Sequence, residues 1–355
     1  MEKVVTGKCD SYDVGMLKNL FYDGLRVLDF ETAHKKVLLK PNLLIGKPPE
    51  KAVTTHPQFI RAIAELFLDF SCDVFIGDSP GYESTEKVLL KSGIMDVIKH
   101  NGLKIASFNR KITKNLHGIS PYKTFVLGED PDDFDIIINI PKLKTHMMMG
   151  LTLGVKNTFG FIHAMDKAKW HLRAGADKMV FASMLIDIHN IVKPSMTILD
   201  GVVGMDKDGP SSGRVRRMGV VALSRNSFAL DYCIERLAGI PFALPISLIA
   251  KEHAIMPDYE TICINLPLSL PDDFQMPEAM ATDWNLPHLA KNVLKSVFIK
   301  KPRLEKEICK KCGVCADVCP AGAITINEKA LSFKYEKCIR CYCCQEMCPE
   351  GAIKV

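Results

Sequence analysis

Nine of the 13 cysteines lie between Cys309 and Cys348, and eight of these fall into two runs of identical spacing. The first is Cys309-x2-Cys312-x2-Cys315-x3-Cys319-Pro320. The second, 29 residues later, is Cys338-x2-Cys341-x2-Cys344-x3-Cys348-Pro349. The flanks repeat too, with Ala321-Gly322-Ala323-Ile324 echoed by Glu350-Gly351-Ala352-Ile353, so the segment is an internal duplication. Disulfides explain dense cysteine in small secreted chains. This chain has 355 residues, and its opening segment Met1–Lys8 has neither an apolar signal core nor a twin-arginine pair. Metal ligation is the better account. Tetrahedral zinc sites separate two CxxC pairs by a longer span, which is not the spacing found here.

The run is the one that carries 4Fe–4S clusters in bacterial two-cluster ferredoxins, where the fourth cysteine of each run serves the other cluster. The expected ligand sets are therefore Cys309, Cys312, Cys315 and Cys348 for one cluster, and Cys338, Cys341, Cys344 and Cys319 for the other. All four ligands of each cluster are thiolates, which leaves no open iron and points to electron transfer. Cys343 breaks no register and reads as a free thiol beside Cys344. Cys9, Cys72, Cys233 and Cys263 read as buried and inert. Short strands are expected at Ala323–Asn327 and Ala352–Val355, with a hairpin return at Lys329–Lys334.

The chain as a whole has a globular composition, 47% hydrophobic and 25% charged, with a net charge of +5. That balance is too weakly basic for a nucleic-acid protein. No run of about 18 apolar residues marks a membrane span, so the expected address is the cytoplasm. Exposed clusters of this kind are oxidisable, which suggests a low-oxygen setting. Apolar periodicity alternates between strand and helix. Strands are expected at Lys36–Lys40, Asp73–Gly77, Phe134–Ile140, Met196–Leu199, Met218–Leu223 and Thr261–Asn265. Helices are expected at His56–Phe70 (N-cap Thr55), Ser84–Lys91, Met95–His100, Ala176–Val192, Phe228–Ala238 and Leu289–Phe298. The fold class is an α/β body with a mostly parallel or mixed sheet, plus a small α+β ferredoxin-like dicluster domain. The expected boundaries are 1–295 for the body, 296–302 for a linker around Lys300-Lys301-Pro302, and 303–355 for the cluster domain.

In open α/β sheets, ligands bind beyond the carboxyl ends of the strands. Four such ends are chemically loaded: Lys40-Pro41-Asn42, Gly77-Asp78-Ser79-Pro80-Gly81, Pro141-Lys142-Leu143-Lys144-Thr145-His146 and Asp200-Gly201-Val202-Val203-Gly204-Met205-Asp206-Lys207-Asp208-Gly209-Pro210. Lys142, Lys144 and Lys156 suit an anionic ligand, with Asn157 beside them. His146 is the best placed of His56, His146, His163 and His171 for proton or metal work. Asp78 and Asp200 suit capping or support. No GxxxxGK[ST] and no GxGxxG follows a strand, which disfavours nucleotides held by those motifs. Six Lys/Arg without an acid in Val97–Gly128 precede five acids in Glu129–Asp135, read as adjacent solvated loops. Met147-Met148-Met149 suits a pocket lining or core packing.

These loops, with THP at Thr55–Pro57, LGVKN at Leu153–Asn157 and DYCIERLAG at Asp231–Gly239, resemble the family named domain of unknown function 362. Many of its members carry a dicluster ferredoxin tail. The resemblance implies the fold grouping more than a reaction. A shorter likeness, Pro-x-x-Lys-x-His followed by Gly-x-Lys and glycine, is similar to a stretch of the nickel-dependent lactate racemases. There it implies a lysine holding a pincer-type cofactor, at Lys156, and a histidine serving metal or proton transfer, at His146. The resulting expectation is an iron–sulfur oxidoreductase. Two [4Fe–4S] clusters move electrons between a redox partner protein or low-potential donor and an anionic small molecule, or an additional small-molecule cofactor, on the body. His146 and Lys156 are the catalytic candidates, and Lys142, Lys144, Asn157, Asp78 and Asp200 the binding candidates. The alternatives are a non-catalytic electron carrier or assembly factor, and a racemase-like enzyme with structural clusters.

Overall fold

Val37-Leu38-Leu39 and Ile136-Ile137-Ile138 are apolar at consecutive positions, the pattern of strands covered on both faces. They pair side by side at the centre of the main sheet. The structure, a computed structural model, describes residues 1–175, 177–278, 300–327 and 330–355. The body contains β1 (Glu2–Lys8), β2 (Lys36–Pro41), β3 (Asp73–Ile76), β4 (Lys104–Ile105), β5 (Ile112–Asn115), β6 (Thr124–Leu127), β7 (Ile136–Ile140), β8 (Lys142–His146), β9 (Gly150–Leu151), β10 (Met196–Asp206), β11 (Arg214–Ser224) and β12 (Tyr259–Cys263). The sheet has 10 strands among the described residues, in the order β12-β1-β11-β10-β7-β2-β3-β4, with β8 on β10 and β9 on β8. Pairing is parallel except where β11 meets β1 and β10 and where β9 meets β8. The sheet is therefore mixed.

Helices Val14–Val27, Pro57–Asp69 and Ile94–Asn101 bury Phe21, Phe59, Ile63 and Val97 on one face. Helices Lys178–Val192 and Pro245–Glu252 bury Phe181, Leu185 and Ile246 on the other. Among the elements that escaped the sequence pattern are β1, helix Val14–Val27, β4, the β5–β6 hairpin, helix Ala164–Ala174 and helix Pro245–Glu252. The hairpin brings the two charge blocks together. Arg110 pairs with Glu129 and Asp133, and Lys114 with Asp130 and Asp132.

Two expected loops are strands. Pro141 lacks an N–H and interrupts the strand, but the chain resumes as β8, every residue of which is buried. The Asp200–Met205 segment likewise continues β10 through to Asp206 beside β11, with one irregularity between Gly201 and Val203. Glycine acts here as a spacer, not a breaker: a Cβ on Gly204 would collide with the Leu143 carbonyl of β8. The cap of helix Pro57–Asp69 is His56, whose Nδ1 accepts from Gln58 N at 3.2 Å. Thr55 is occupied elsewhere, donating to the Ile140 carbonyl at 2.8 Å.

The tail folds as β13 (Arg303–Leu304), β14 (Ile324–Ile326), β15 (Leu331–Phe333) and β16 (Ile353–Lys354), with helical turns at Val314–Asp317 and Cys343–Glu346. β13 pairs with β16, and β14 with β15, both antiparallel. The duplication survives in backbone detail. Lys311 and Gly313 in the first loop, and Arg340 and Tyr342 in the second, take left-handed conformations. The expected helix at Leu289–Phe298, most of the expected linker and the start of the expected hairpin at Lys329 lie outside the described residues. Cys9, Cys72 and Cys233 are buried as expected, but Cys263 is exposed, near the end of edge strand β12. Among the described residues, no helix is long and apolar enough to cross a membrane.

Candidate functional site

The eight spaced cysteines line two separate small cavities of about 20 Å³ each. One is bounded by Cys309, Cys312, Cys315 and Cys348, and the other by Cys319, Cys338, Cys341 and Cys344. Each cavity draws three cysteines from one run and one from the other, the partition expected from the spacing. The walls are otherwise largely apolar, including Ile353 in the first and Ile324 and Phe333 in the second. Backbone amides of Ala323 and Ala352 donate to Cys319 Sγ and Cys348 Sγ, each at 3.2 Å. Four converging sulfurs, an apolar wall and amide donors to sulfur are what a 4Fe–4S cluster requires.

The tail is seated on the body through its second loop. Cys341 to Cys348 are all buried, whereas Cys312 of the first loop is exposed. Val318, Cys341, Tyr342, Cys343 and Met347 belong to the same apolar cluster as Trp170 and Phe181 of the body. Gln345 Nε2 donates to the Asp208 carbonyl at 2.7 Å, Tyr82 donates to Asp317 at 2.8 Å, and Lys47 donates to the Pro349 carbonyl.

On the body, the candidate residues divide into a supporting network and a cavity wall. Lys142 Nζ lies 2.8 Å from Asp200 Oδ2 and 2.7 Å from the Tyr12 hydroxyl, with the Lys142 and Asp200 side chains out of solvent. Asp200 also accepts from His56 N and from Tyr12. Lys144 donates to Asn42 Oδ1 at 2.9 Å and to the Val53 carbonyl at 2.6 Å. Burial, and then Lys156 and Lys142, hold its ammonium well below the usual lysine range. Asp78 pairs with Lys40 at 2.8 Å and accepts from the amides of Leu43 and Ser79. Gly160 closes over this pair, because a Cβ there would strike both Asp78 and Lys40.

The turn Gly154–Asn157 that carries Lys156 is pinned from below. Asp231 accepts from Gly154 N at 2.7 Å and Val155 N at 2.9 Å. Asn157 donates to Asn139 at 2.8 Å and accepts from Asn42 at 3.1 Å. Lys156 itself makes no hydrogen bond or ion pair to any described residue. Burial lowers its pKa, against the attraction of Glu346.

Lys156 borders a cavity of about 100 Å³ between body and tail. The body supplies Asp78, Lys156, Asn157, Lys167 and His171. The tail supplies Asp317, Val318, Cys343, Glu346 and Met347. Lys142, Lys144, Asp200 and His146 stand outside this lining. His146 lies directly behind it: its Nδ1 accepts from the amides of Met148 and Met149, and its Nε2 is 2.9 Å from Glu346 Oε1, at an angle too poor for a hydrogen bond. Burial brings His146 down to about 4, while burial of Glu346 is outweighed by His146 and Lys156, which bring it to about 2. Lys167 donates to the Ser79 carbonyl, and burial lowers it to about 7.

Residues 37–235, more than half of the chain, match the family described as domain of unknown function (DUF362), and residues 301–349 match the 4Fe-4S dicluster domain. The chain belongs to the DUF362 family. It is an iron–sulfur protein with a ferredoxin-type tail. The thylakoid-associated protein sll1697 of Synechocystis sp. is 31% identical over 306 residues, covering 82% of this chain and 94% of that protein. The lactate racemase apoprotein from Thermoanaerobacterium thermosaccharolyticum aligns over 66% of this chain and 57% of that one, at 14% identity and a TM-score of 0.41.

Sequence reasoning missed Lys167 of the DUF362 body and Glu346 and Met347 of the tail, and gave His171 no special place. Lys167 and His171 are four apart on helix Ala164–Ala174, which puts both on one face. Glu346 had a signal: the two repeats agree at the ligands but diverge from Ala316-Asp317 to Gln345-Glu346.

Proposed function

We propose that the chain is an iron–sulfur redox enzyme that exchanges single electrons with a small anionic ligand held between its tail and its body. Cys309, Cys312, Cys315 and Cys348 hold one [4Fe–4S] cluster, and Cys319, Cys338, Cys341 and Cys344 a second. When bound, the clusters supply one-electron transfer. The carrying observation is the shared wall: one cavity touches the unpaired ammonium of Lys156 on one side and Cys343, neighbour of Cys344, on the other. Lys156 binds the acidic group of the ligand, and Asn157 and Lys167 border it. Lys142, Lys144, Asp78 and Asp200 hold the loops in place, and His146 backs the wall at Glu346. Apolar Leu43, Phe159 and Met347 exclude water from the remainder. Electrons come from a redox partner protein or a low-potential donor. The cytoplasm is the expected address, and the name of the cyanobacterial relative makes attachment to an internal membrane surface the alternative that cell fractionation separates.

The test is anaerobic purification, followed by iron analysis, paramagnetic resonance of the reduced protein and mass spectrometry of retained small acids. About eight irons per chain are expected. Lys156→Met keeps the iron and loses at least about tenfold in affinity for the retained acid, the scale of one charge-assisted hydrogen bond. Unchanged affinity in that variant would remove the ligand site from the proposal.

A further inference from the structure

The polar atoms of the cavity are not of one kind. Lys156 Nζ is a cationic donor without a partner. Glu346 Oε1, 2.9 Å from His146 Nε2, and His171 Nδ1 are buried in the same lining without a well-formed hydrogen bond. Glu346 is 5% exposed and His171 6%, so water at the protein surface does not serve them. Buried polar groups left open in this way call for a partner. The imidazole of His171 stacks on Phe181 at 4.4 Å and is kept neutral by burial, so its open nitrogen is available as an acceptor. The cavity thus presents a positive donor, Lys156, together with a buried carboxylate oxygen of Glu346 and an open imidazole nitrogen of His171, while its other carboxylates, Asp78 and Asp317, are bonded to Lys40 and Tyr82.

The divergence of the two repeats points the same way. In the first, the helical turn ends Ala316-Asp317, and Asp317 borders the cavity from an exposed position with its carboxylate bonded to Tyr82. In the second, it ends Gln345-Glu346, and both side chains are buried against the body, Gln345 on the Asp208 carbonyl and Glu346 on the cavity. A carboxylate buried beside a site for a simple anion would repel it at short range in low dielectric. The same carboxylate favours a ligand that brings a positive donor of its own.

We infer that the ligand is a small zwitterion, an acid with an amine a few bonds away, whose acidic end meets Lys156 and whose ammonium lies between Glu346 and His171. This rests on the cavity being the ligand site, and it adds the chemical class. Glu346, contributed by the tail, is then the specificity-determining residue that rejects simple acids.

Calorimetric titration of the anaerobic holoprotein with matched pairs, glycine against acetate and β-alanine against propionate, tests this. In at least one pair, the zwitterion binds about tenfold or more tighter than the acid of equal length, the scale of a charge-assisted hydrogen bond. Glu346→Gln brings the pair to within about threefold by tightening the simple acid and weakening the zwitterion, with iron content unchanged. Should Glu346→Gln fail to retain iron, His171→Phe decides, because it removes one acceptor without touching a charge and lowers the preference. Equal or tighter binding of the simple acid by the unaltered protein, or no binding of either member of both pairs, overturns the zwitterion class. If acetate binds and Lys156→Met abolishes that binding, the ligand site stands and only its class falls. A preference untouched in both Glu346→Gln and His171→Phe overturns the assigned acceptors.

Discussion

Lys142 and Lys156 lie fourteen positions apart and are opposite in kind. Lys142 is buried as half of an ion pair with Asp200, whereas Lys156 is half-buried, faces a cavity and has no hydrogen-bond or ion-pair partner among the described residues. Removing one member of a buried pair leaves the other charge uncompensated, so Lys142→Met should cost about 3 kcal/mol or more. Lys156→Met removes a charge that makes no ion pair among the described residues, so its thermal midpoint should stay near that of the unaltered protein. A comparable loss in both variants, by anaerobic calorimetry, would refute this division. Histidine gives a signed pH effect. Burial alone brings His189 to about 4, against an ordinary value of 6.5. The unfolded chain therefore binds the extra proton first, and stability is lost as pH falls from about 6.5 to about 4. Over that window this residue contributes roughly 3 kcal/mol. His189→Gln should flatten the fall in thermal midpoint between pH 6.5 and pH 5, and an unaltered slope would show that His189 is not its source.

At the scale of elements, the short turn Gly154–Asn157 controls where Lys156 points. Its first amides rest on Asp231, a residue of helix Ser227–Leu237 far along the sequence. Asp231→Ala leaves two buried amides open, a loss of about 2 to 6 kcal/mol at 1 to 3 per group. Hydrogen exchange should speed up at Gly154 and Val155 before it changes in β2, and exchange that rises everywhere equally would contradict the local account. Much of this level was legible in advance. The alternation of apolar runs located the strands at the sheet centre, and cysteine spacing alone paired the two ligand sets. What failed had a physical cause. β8 and the second half of β10 were taken as loops because proline, glycine and aspartate break strands on average. Here Pro141 only offsets the register, and the glycines make room for a neighbouring strand. The Asp78–Lys40 and Asp200–Lys142 pairs join residues 38 and 58 positions apart, and no local pattern encodes such a partnership. Helix Ala164–Ala174 is mostly polar, so its cavity-facing Lys167 and His171 carried no apolar periodicity to mark them.

At the scale of the molecule, tail and body share one core. Val318, Cys341, Tyr342, Cys343 and Met347 pack in the cluster that also holds Trp170, Phe181 and Met147 of the body. Within the tail alone, the packed apolar group is small and built largely from the cysteines themselves. A fold with so little core of its own depends on its metal for stability, as small metal-bound domains do. Loss of the clusters should therefore loosen the tail and uncover the apolar face of the body beneath Met347 and Tyr342. The consequence would spread, because the cavity loses Glu346 and His146 loses its neighbouring carboxylate. Calorimetry of the anaerobic holoprotein should show body and tail melting together. Removing iron with a chelator under reducing conditions should lower the midpoint of the body by several degrees, the shift that about 1 to 2 kcal/mol produces in a domain of this size. A body that melts at the same temperature with and without iron would mean that the shared core contributes no coupling, and that the tail is a tethered carrier whose docking does not matter to the rest of the chain.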